Sequence, residues 1–206
     1  MGIDLKKTRK PVKYNEAIDY LEKRVNNLNN GQGNELIWIL EHPQIYTGGA
    51  SYKKKEILDK SIRVIETSRG GKVTCHGPGQ LICYFVIDLK KRNKDIRKFI
   101  NIIENSIIES LLSHGIKTKS DRKNIGIWID IDGSKKKIGA IGIKVKKWIA
   151  FHGFSLNIEN DLRMYNKIIP CGIKDCGITN LKEIKEQSYK NLPNILLYKL
   201  TNYLKI

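Results

Sequence analysis

Apolar residues recur with helical spacing in three stretches of the chain. In residues 13–28 they stand three or four positions apart, so one face of a helix would be buried, and the Asn29-Asn30-Gly31 cluster would end it. Residues 95–114 carry the clearest helical pattern, with His114 and Gly115 as its end. The spacing in residues 193–204 predicts a closing amphipathic helix.

The other apolar segments are short and predict strands. These strands are expected at residues 35–40, 62–65, 81–87, 125–131, 138–145 and 148–158. Asp132-Gly133 would join two of them as a hairpin, and His152-Gly153 would interrupt the last. Residues 46–49 predict a turn, and a short helix is expected near Asp161. Hairpins mixed with helices, without regular strand–helix alternation, predict a single α+β domain rather than a doubly wound sheet.

One stretch combines glycine turns with titratable side chains. The segment RGGKVTCHGPGQLICYFVIDL (69–89) holds five glycines or prolines in its first eleven residues and then becomes apolar. The pattern predicts strand, tight turn and strand, with Arg69, Lys72, His76 and Gln80 at or near the turns. A ligand site on this scaffold and a plain glycine-rich hairpin with solvated polar residues both remain open on pattern alone.

Composition adds a strong positive charge to this picture. The 206 residues are 40% hydrophobic and 29% charged, as in a soluble globular protein, and the net charge is +17. That charge implies an acidic partner, such as nucleic acid, an anionic surface or an acidic protein. Four cysteines do not suggest a disulfide framework in a chain this long, and neither a secretory signal nor a membrane span is visible, so a cytoplasmic location is expected.

Several phosphate and metal motifs are excluded by spacing. Gly71-Lys72 is followed by Val73, and no glycine precedes it at the spacing of a P-loop. No strand leads into the spaced glycines of a dinucleotide fold. Cys171 and Cys176 are widely spaced for a zinc knuckle and lack a second Cys or His pair, so no metal site is predicted.

Cys171 is the candidate nucleophile among the cysteines. Pro170 and Gly172 predict a sharp, exposed turn around it, whereas Cys83 stands in an apolar strand and is expected in the core. Cys75 and Cys176 remain ambiguous. A thiol with an ordinary pKa near 8.5 needs a neighbouring cation to react as a thiolate at neutral pH.

Two further residues have competing interpretations. Lys137 precedes Ile138-Gly139-Ala140-Ile141-Gly142, a strand whose small residues allow an acyl chain or another backbone to approach closely. Pattern alone favours Lys137 as a solvated lysine at a hairpin tip. His152 could be a base, although a histidine in such a position more often bonds within the structure.

These residues together resemble the lipoate–protein ligase B family, the lipoyl(octanoyl) transferases. The matching segments, in family order over residues 36–181, are EHPQIYT (41–47), RGGKVTCHGPGQLICY (69–84), GIWI (126–129), KIGAIGIKV (137–145), FHGFSLNI (151–158) and IPCGI (169–173). The HGPGQ segment is specific, and PCG and KIxAIG occur together with it.

The resemblance implies a mixed sheet with flanking helices, similar to the catalytic domains of biotin and lipoate ligases. It implies transfer of an octanoyl group from octanoyl-acyl carrier protein to a lysine of a lipoyl domain. The acceptors would be the lipoyl domains of 2-oxoacid dehydrogenase complexes and the glycine cleavage H protein. No cofactor, membrane or specific nucleic acid is expected.

The resemblance also assigns residues. It implies Cys171 as the acyl-thioester nucleophile and Lys137 as the lysine that activates it. Residues implied to line the acyl site are Arg69, Gly70, Gly71, Lys72, Val73, Thr74, Cys75, His76, Ala140, Ile141, Gly142, Gly153, Phe154 and Ser155. Cys75, Gly139 and Ser155 depart from the family pattern, which has an aromatic residue at the first position and alanine at the other two.

Two rival functions follow from the same residues. An ATP-dependent lipoate or biotin ligase on the same fold would not need a nucleophilic cysteine. A basic nucleic-acid-binding protein is suggested by the +17 charge, but aromatic residues are not interleaved with basic ones along one element.

Overall fold

A computed structural model describes residues 2–170 and 177–205, so Cys171 and Cys176 lie outside the described residues. The strands are β1 (Ile3–Lys7), β2 (Glu35–Leu40), β3 (Ile45–Gly48), β4 (Val64–Glu66), β5 (Val73–His76), β6 (Gln80–Asp88), β7 (Lys119–Ser120), β8 (Ile127–Ile131), β9 (Ser134–Lys146), β10 (Ile149–Asn157) and β11 (Gly177–Ile178). The α-helices are α1 (Tyr14–Asn29), α2 (Ile96–Leu112), α3 (Leu181–Ile184) and α4 (Leu192–Leu204).

The strands form a large mixed sheet and a small one. The large sheet has the order β1-β2-β6-β10-β9-β8-β7, with β11 beside β9, and the small sheet has the order β4-β3-β5. The short turn between β5 and β6 therefore carries the chain from one sheet to the other rather than closing a hairpin. This mixture of parallel and antiparallel pairs with flanking helices confirms the α+β prediction.

Helices cover both faces of the large sheet, and this explains why the sequence of β6 is mostly apolar. Cys83 and Phe85 face the core shared with α2 and α4, whereas Ile82 and Tyr84 face the core shared with α1. All nine residues of β6 are buried. A strand buried on both faces loses the alternation of polar and apolar residues that marks a half-exposed strand.

Two local predictions were wrong. Residues 46–49 were expected to turn, but Tyr46, Thr47 and Gly48 belong to β3, which pairs with β5. The strand at 149–157 was expected to break at His152-Gly153, but β10 pairs with β6 along its whole length. His152 instead takes a φ of +65° within the paired strand. Pairing with neighbouring strands, which sequence patterns do not reveal, keeps both segments in their sheets.

Within residues 2–170 and 177–205, no helix has the length and apolar character required to cross a bilayer. Within the same residues, His, Cys, Asp and Glu side chains do not gather in groups of three that would hold a metal ion.

Candidate active site

A cavity of about 530 Å³ lies along β9 and β10, beneath the loop that leads into β5. Its walls include thirteen of the fourteen residues expected to line an acyl site, together with Lys137. These residues are Arg69, Gly70, Gly71, Lys72, Val73, Thr74, His76, Ala140, Ile141, Gly142, Gly153, Phe154 and Ser155. Ligand cavities in proteins commonly have volumes of several hundred Å³. The segments that are far apart in sequence thus meet at one site.

Cys75 is the exception among the expected lining residues. It is fully buried in the small core beside the three-stranded sheet, together with Tyr46, Val73 and Met164. Because Thr74 and His76 face the cavity, the alternation of a strand turns Cys75 to the opposite side. The departure from the family pattern at this position therefore lies in the core and not in the cavity wall.

The loop at 69–71 is fixed by backbone contacts to β9. The Gly70 N–H donates to the Ile143 carbonyl at 3.0 Å. A Cβ atom at Gly142 would lie 3.1 Å from the Gly70 carbonyl oxygen, so the absent side chain allows this close approach. Arg69 is buried, and its guanidinium donates to the carbonyl and hydroxyl oxygens of Thr47 at 2.9 and 2.8 Å. The loop is consequently tied to the large sheet through Ile143 and to the small sheet through Thr47.

Lys137 is buried at 6% exposure, which excludes a solvated lysine at a hairpin tip. Its ammonium donates to the Ile125 carbonyl at 3.2 Å and lies 4.8 Å from the centre of the Trp128 ring. Gly126, at a φ of +144°, makes room for it, because a Cβ there would lie 2.7 Å from Lys137 Cε. The cation is therefore held in a fixed place in the cavity wall.

The chain segments on both sides of residues 171–176 lie near Lys137. Pro170, which precedes Cys171 in sequence, lines a small cavity together with Lys137, Thr74 and Ser155. On the other side, Ile178 of β11 pairs with Lys137, and the Thr179 N–H donates to the Lys137 carbonyl at 3.0 Å. The cysteine that the sequence singled out thus belongs to a segment whose two described ends converge on this lysine.

A cluster of histidines and tyrosines is buried beside the cavity. The His76 ring stacks on Tyr14 at 6.3 Å between centroids, and His42 lies 5.8 Å from His76. His42 Nδ1 is 2.6 Å from the Val12 carbonyl, so it must carry the proton, and Nε2 accepts from the Tyr84 hydroxyl at 2.8 Å. Burial, followed by the charges of His42 and Arg69, lowers the pKa of His76 to about 3.

His152 does not bond within the described structure as the sequence favoured. It is 1% exposed and lines the cavity, yet neither ring nitrogen has a hydrogen-bond partner among the described residues. Burial, followed by the charges of Arg69 and Lys144, lowers its pKa to about 3. A neutral imidazole with unused donor and acceptor capacity therefore faces the cavity.

Most of the chain matches one known protein family. The family model for the lipoyl protein ligase A/B catalytic domain matches residues 13–193. The chain belongs to this family.

Its curated relatives are octanoyltransferases. The protein of Ehrlichia chaffeensis is 43% identical over 175 residues, which are 84% of this chain and 82% of that protein. The protein of Zymomonas mobilis is 46% identical over 169 residues, 82% of this chain and 78% of that protein. The chain is therefore an acyltransferase of the octanoyltransferase group, which confirms the resemblance found in the sequence.

Solved structures agree on the fold. A bipartite lipoate protein ligase of Thermoplasma acidophilum superposes with a TM-score of 0.73 at 15% identity, covering 100% of this chain and 85% of that chain. The biotin protein ligase of Aquifex aeolicus gives a TM-score of 0.55 at 17% identity, covering 99% and 70%. The predicted similarity to the lipoate and biotin ligase catalytic domains is confirmed.

Some lining residues of this family member were not predicted. They are Ile82, Tyr84, Ile100, Lys123, Asn124, Ile125, Ile143 and His152. Ile82, Tyr84, Ile143 and His152 stood in segments quoted for the resemblance, so their neighbours pointed to them. Ile100 on α2 and the 123–125 loop join the cavity only through tertiary packing, and no sequence signal marked them.

Proposed function

We propose that this octanoyltransferase carries an octanoyl group from octanoyl-acyl carrier protein to a lysine of lipoyl domains, through a thioester on Cys171. The single observation that carries the proposal is the convergence at Lys137. A buried ammonium lies in the wall of a large cavity. Pro170, on one side of the Cys171 segment, lines a small cavity with Lys137, and Thr179, on the other side, donates to the Lys137 carbonyl. A cation beside a thiol favours the thiolate, which is the form that attacks.

The cavity suits an acyl chain. Its apolar wall includes Ile82, Ile125, Ile141, Ile143 and Phe154, which can bury methylene groups. Each buried methylene contributes roughly 0.8 kcal/mol to binding. The acyl carrier and the lipoyl domains are expected to be acidic, and exposed Lys123 at the cavity suits such partners, as does the net charge of +17.

In the first half-reaction, the Cys171 thiolate attacks the carbonyl carbon of the carrier thioester. The new carbon–sulfur bond forms as the bond to the carrier sulfur breaks, and the carrier leaves as a thiolate. Lys137 gives it a proton, which leaves the carrier thiol, the acyl-enzyme and a neutral Lys137 amine. No ATP is needed because the incoming thioester is already activated.

In the second half-reaction, the neutral amine of the acceptor lysine attacks the acyl-enzyme. The carbon–nitrogen bond forms, the bond to the Cys171 sulfur breaks, and the proton lost by the amine moves to Lys137. This step returns the thiolate and the ammonium to their starting state. One lysine thus serves as the acid in one half-reaction and as the base in the other.

The test is transfer to a purified lipoyl domain. Octanoyl-carrier without ATP should octanoylate the acceptor lysine, and Lys137→Met should slow the reaction by a factor on the order of 100 or more. Free octanoate with ATP should give no product. Modification that needs ATP and free acid would instead support the ligase alternative, and sequence-selective nucleic-acid binding without any transfer would support the nucleic-acid alternative.

A further inference from the structure

A buried amide joins the two chain segments that flank residues 171–176. Asn157, the last residue of β10, is 4% exposed. Its Nδ2 donates to the Thr179 carbonyl at 3.0 Å, and its Oδ1 accepts from the Tyr165 hydroxyl at 3.2 Å. Thr179 follows residues 171–176 and Tyr165 precedes them, so one side chain connects the two described sides.

The side that precedes Cys171 contains a short 3₁₀ helix of about two turns, at Leu162–Lys167. The Tyr165 hydroxyl, which donates to Asn157, also accepts a hydrogen bond from Gln80 Nε2 at 3.0 Å. Gln80 Nε2 donates to Asn157 Oδ1 as well, at 2.9 Å. The Ile169 N–H donates to the Glu56 carbonyl at 2.7 Å. The chain is thus fixed up to the residue before Pro170, with Asn157 and Gln80 as its buried polar anchors.

The side that follows Cys176 is fixed to the lysine. Ile178 pairs with Lys137 in the sheet, and the Thr179 N–H donates to the Lys137 carbonyl at 3.0 Å. The Thr179 carbonyl, on the same residue, accepts from Asn157. Through this residue, the amide that holds the approach to Cys171 is also connected to the backbone of Lys137.

The hydrogen bonds fix the polarity of this network. Gln80 Oε1 can only accept, so His76 Nδ1 carries the proton of the 2.7 Å bond between them. Gln80 Nε2 donates toward Asn157 Oδ1 and the Tyr165 hydroxyl, with the Cys75 carbonyl at 3.5 Å, and the Tyr165 proton points to Asn157 Oδ1. Buried hydrogen bonds of this kind resist displacement because a broken bond leaves a buried polar group unpaired.

We propose that Asn157 is a positioning residue of the acyl transfer reaction. It does not touch the reacting atoms. Its carboxamide sets the spacing between the turn that leads to Cys171 and the strand that returns beside Lys137, and so sets how well the cysteine and the lysine are paired. The inference rests on the proposed roles of Cys171 and Lys137.

Asn157→Ala is tested against Asn160→Ala. Asn160 is also buried and near the end of β10, but its carboxamide has no hydrogen-bond partner among the described residues. Two quantities are measured for each variant: the pH midpoint of Cys171 alkylation by iodoacetamide, located by peptide mapping, and kcat and KM for octanoyl-carrier. Urea unfolding shows that each variant is folded during both assays.

Asn157→Ala should move the alkylation midpoint toward the ordinary thiol value of about 8.5 and lower kcat about tenfold or more, with KM little changed. Asn160→Ala should keep the parent midpoint and kcat. A folded Asn157→Ala with the parent midpoint and kcat would overturn the proposal and leave Asn157 with a structural role only.

Tyr165→Phe removes only the hydroxyl on one side of the network, and Tyr189→Phe is its control. Tyr189 is similarly buried, and its hydroxyl bonds to α3 and to Lys185, far along the chain from Cys171. Tyr165→Phe should shift the alkylation midpoint in the same direction as Asn157→Ala, whereas Tyr189→Phe should not; equal shifts would contradict the proposal. If the parent forms no acyl adduct, the proposed function fails. A midpoint shifted by Asn157→Ala would then show only that Asn157 positions Cys171 beside a cation, so the two failures are distinguishable.

Discussion

The two buried histidines of the cavity should make folding stability fall sharply between pH 7 and pH 5. Both His76 and His152 have a pKa of about 3 in the folded protein, lowered from 6.5 chiefly by burial. As pH falls below 6.5, the unfolded chain binds a proton at each site while the folded protein does not. The contribution of these two histidines to the free energy of unfolding is therefore fully present well above pH 6.5, and it is lost progressively as pH falls toward 3.

The size of the loss follows from the unfolded state. At pH 5, protonation of an ordinary histidine stabilises the unfolded chain by about 2 kcal/mol, and the two sites together give about 4 kcal/mol. Any folded pKa well below 5 gives the same result. His42 is also buried, and burial lowers its pKa, so it adds to the loss between pH 7 and pH 5. It does so equally in the parent and in a His152 variant, so it does not obscure the difference between them.

Urea unfolding of the parent and of His152→Asn at pH 7 and pH 5 measures the effect. Asparagine tolerates the positive φ of this position and does not titrate. The variant should lose about 2 kcal/mol less than the parent between the two pH values. Asn160→Ala, which removes a buried polar group without a titration, should keep the parent loss. A parent and a His152→Asn variant with the same loss would refute the reasoning.

Three further outcomes are expected. Lys137→Met should raise the pH midpoint of Cys171 alkylation toward about 8.5. An unchanged midpoint would mean that Lys137 does not stabilise the Cys171 thiolate. Hexanoyl-carrier should react roughly fifteenfold less efficiently than octanoyl-carrier, because two methylenes are worth about 1.6 kcal/mol, whereas equal kcat/KM would argue against a dry apolar cavity. At low carrier concentration the acylation rate should fall as salt rises while the single-turnover rate at saturating carrier stays constant, and a salt-insensitive rate would contradict steering by the positive charge.

The sequence predicted the helices and most strands because their patterns are local. The faces of α1 and α2, and the Asp132-Gly133 hairpin between β8 and β9, needed no tertiary information. β3 was missed because the Gly48-Gly49 pair is typical of a turn, whereas pairing with β5 places Gly48 in a strand. Sequence patterns also could not show that the chain changes sheets at Gly77-Pro78-Gly79.

The site was predictable where the family motifs lie and not elsewhere. Lys137 looked like a surface lysine by pattern. Lys135 also lies over the Trp128 ring, so only the burial of Lys137 and its place beside Gly126 distinguish it from Lys135. The role of Asn157 could not be predicted because its partners, Tyr165 and Thr179, come from segments that only folding brings together.

The central claim is that Cys171 carries the acyl group. Intact-mass analysis after mixing with octanoyl-carrier, without ATP, should show one octanoyl adduct, and peptide mapping should locate it at Cys171. Cys171→Ala should gain no adduct and lose transfer, whereas Cys83→Ala, which changes the buried core of β6, should still be acylated. An adduct at Cys75 or Cys176, or normal transfer by Cys171→Ala, would contradict the account.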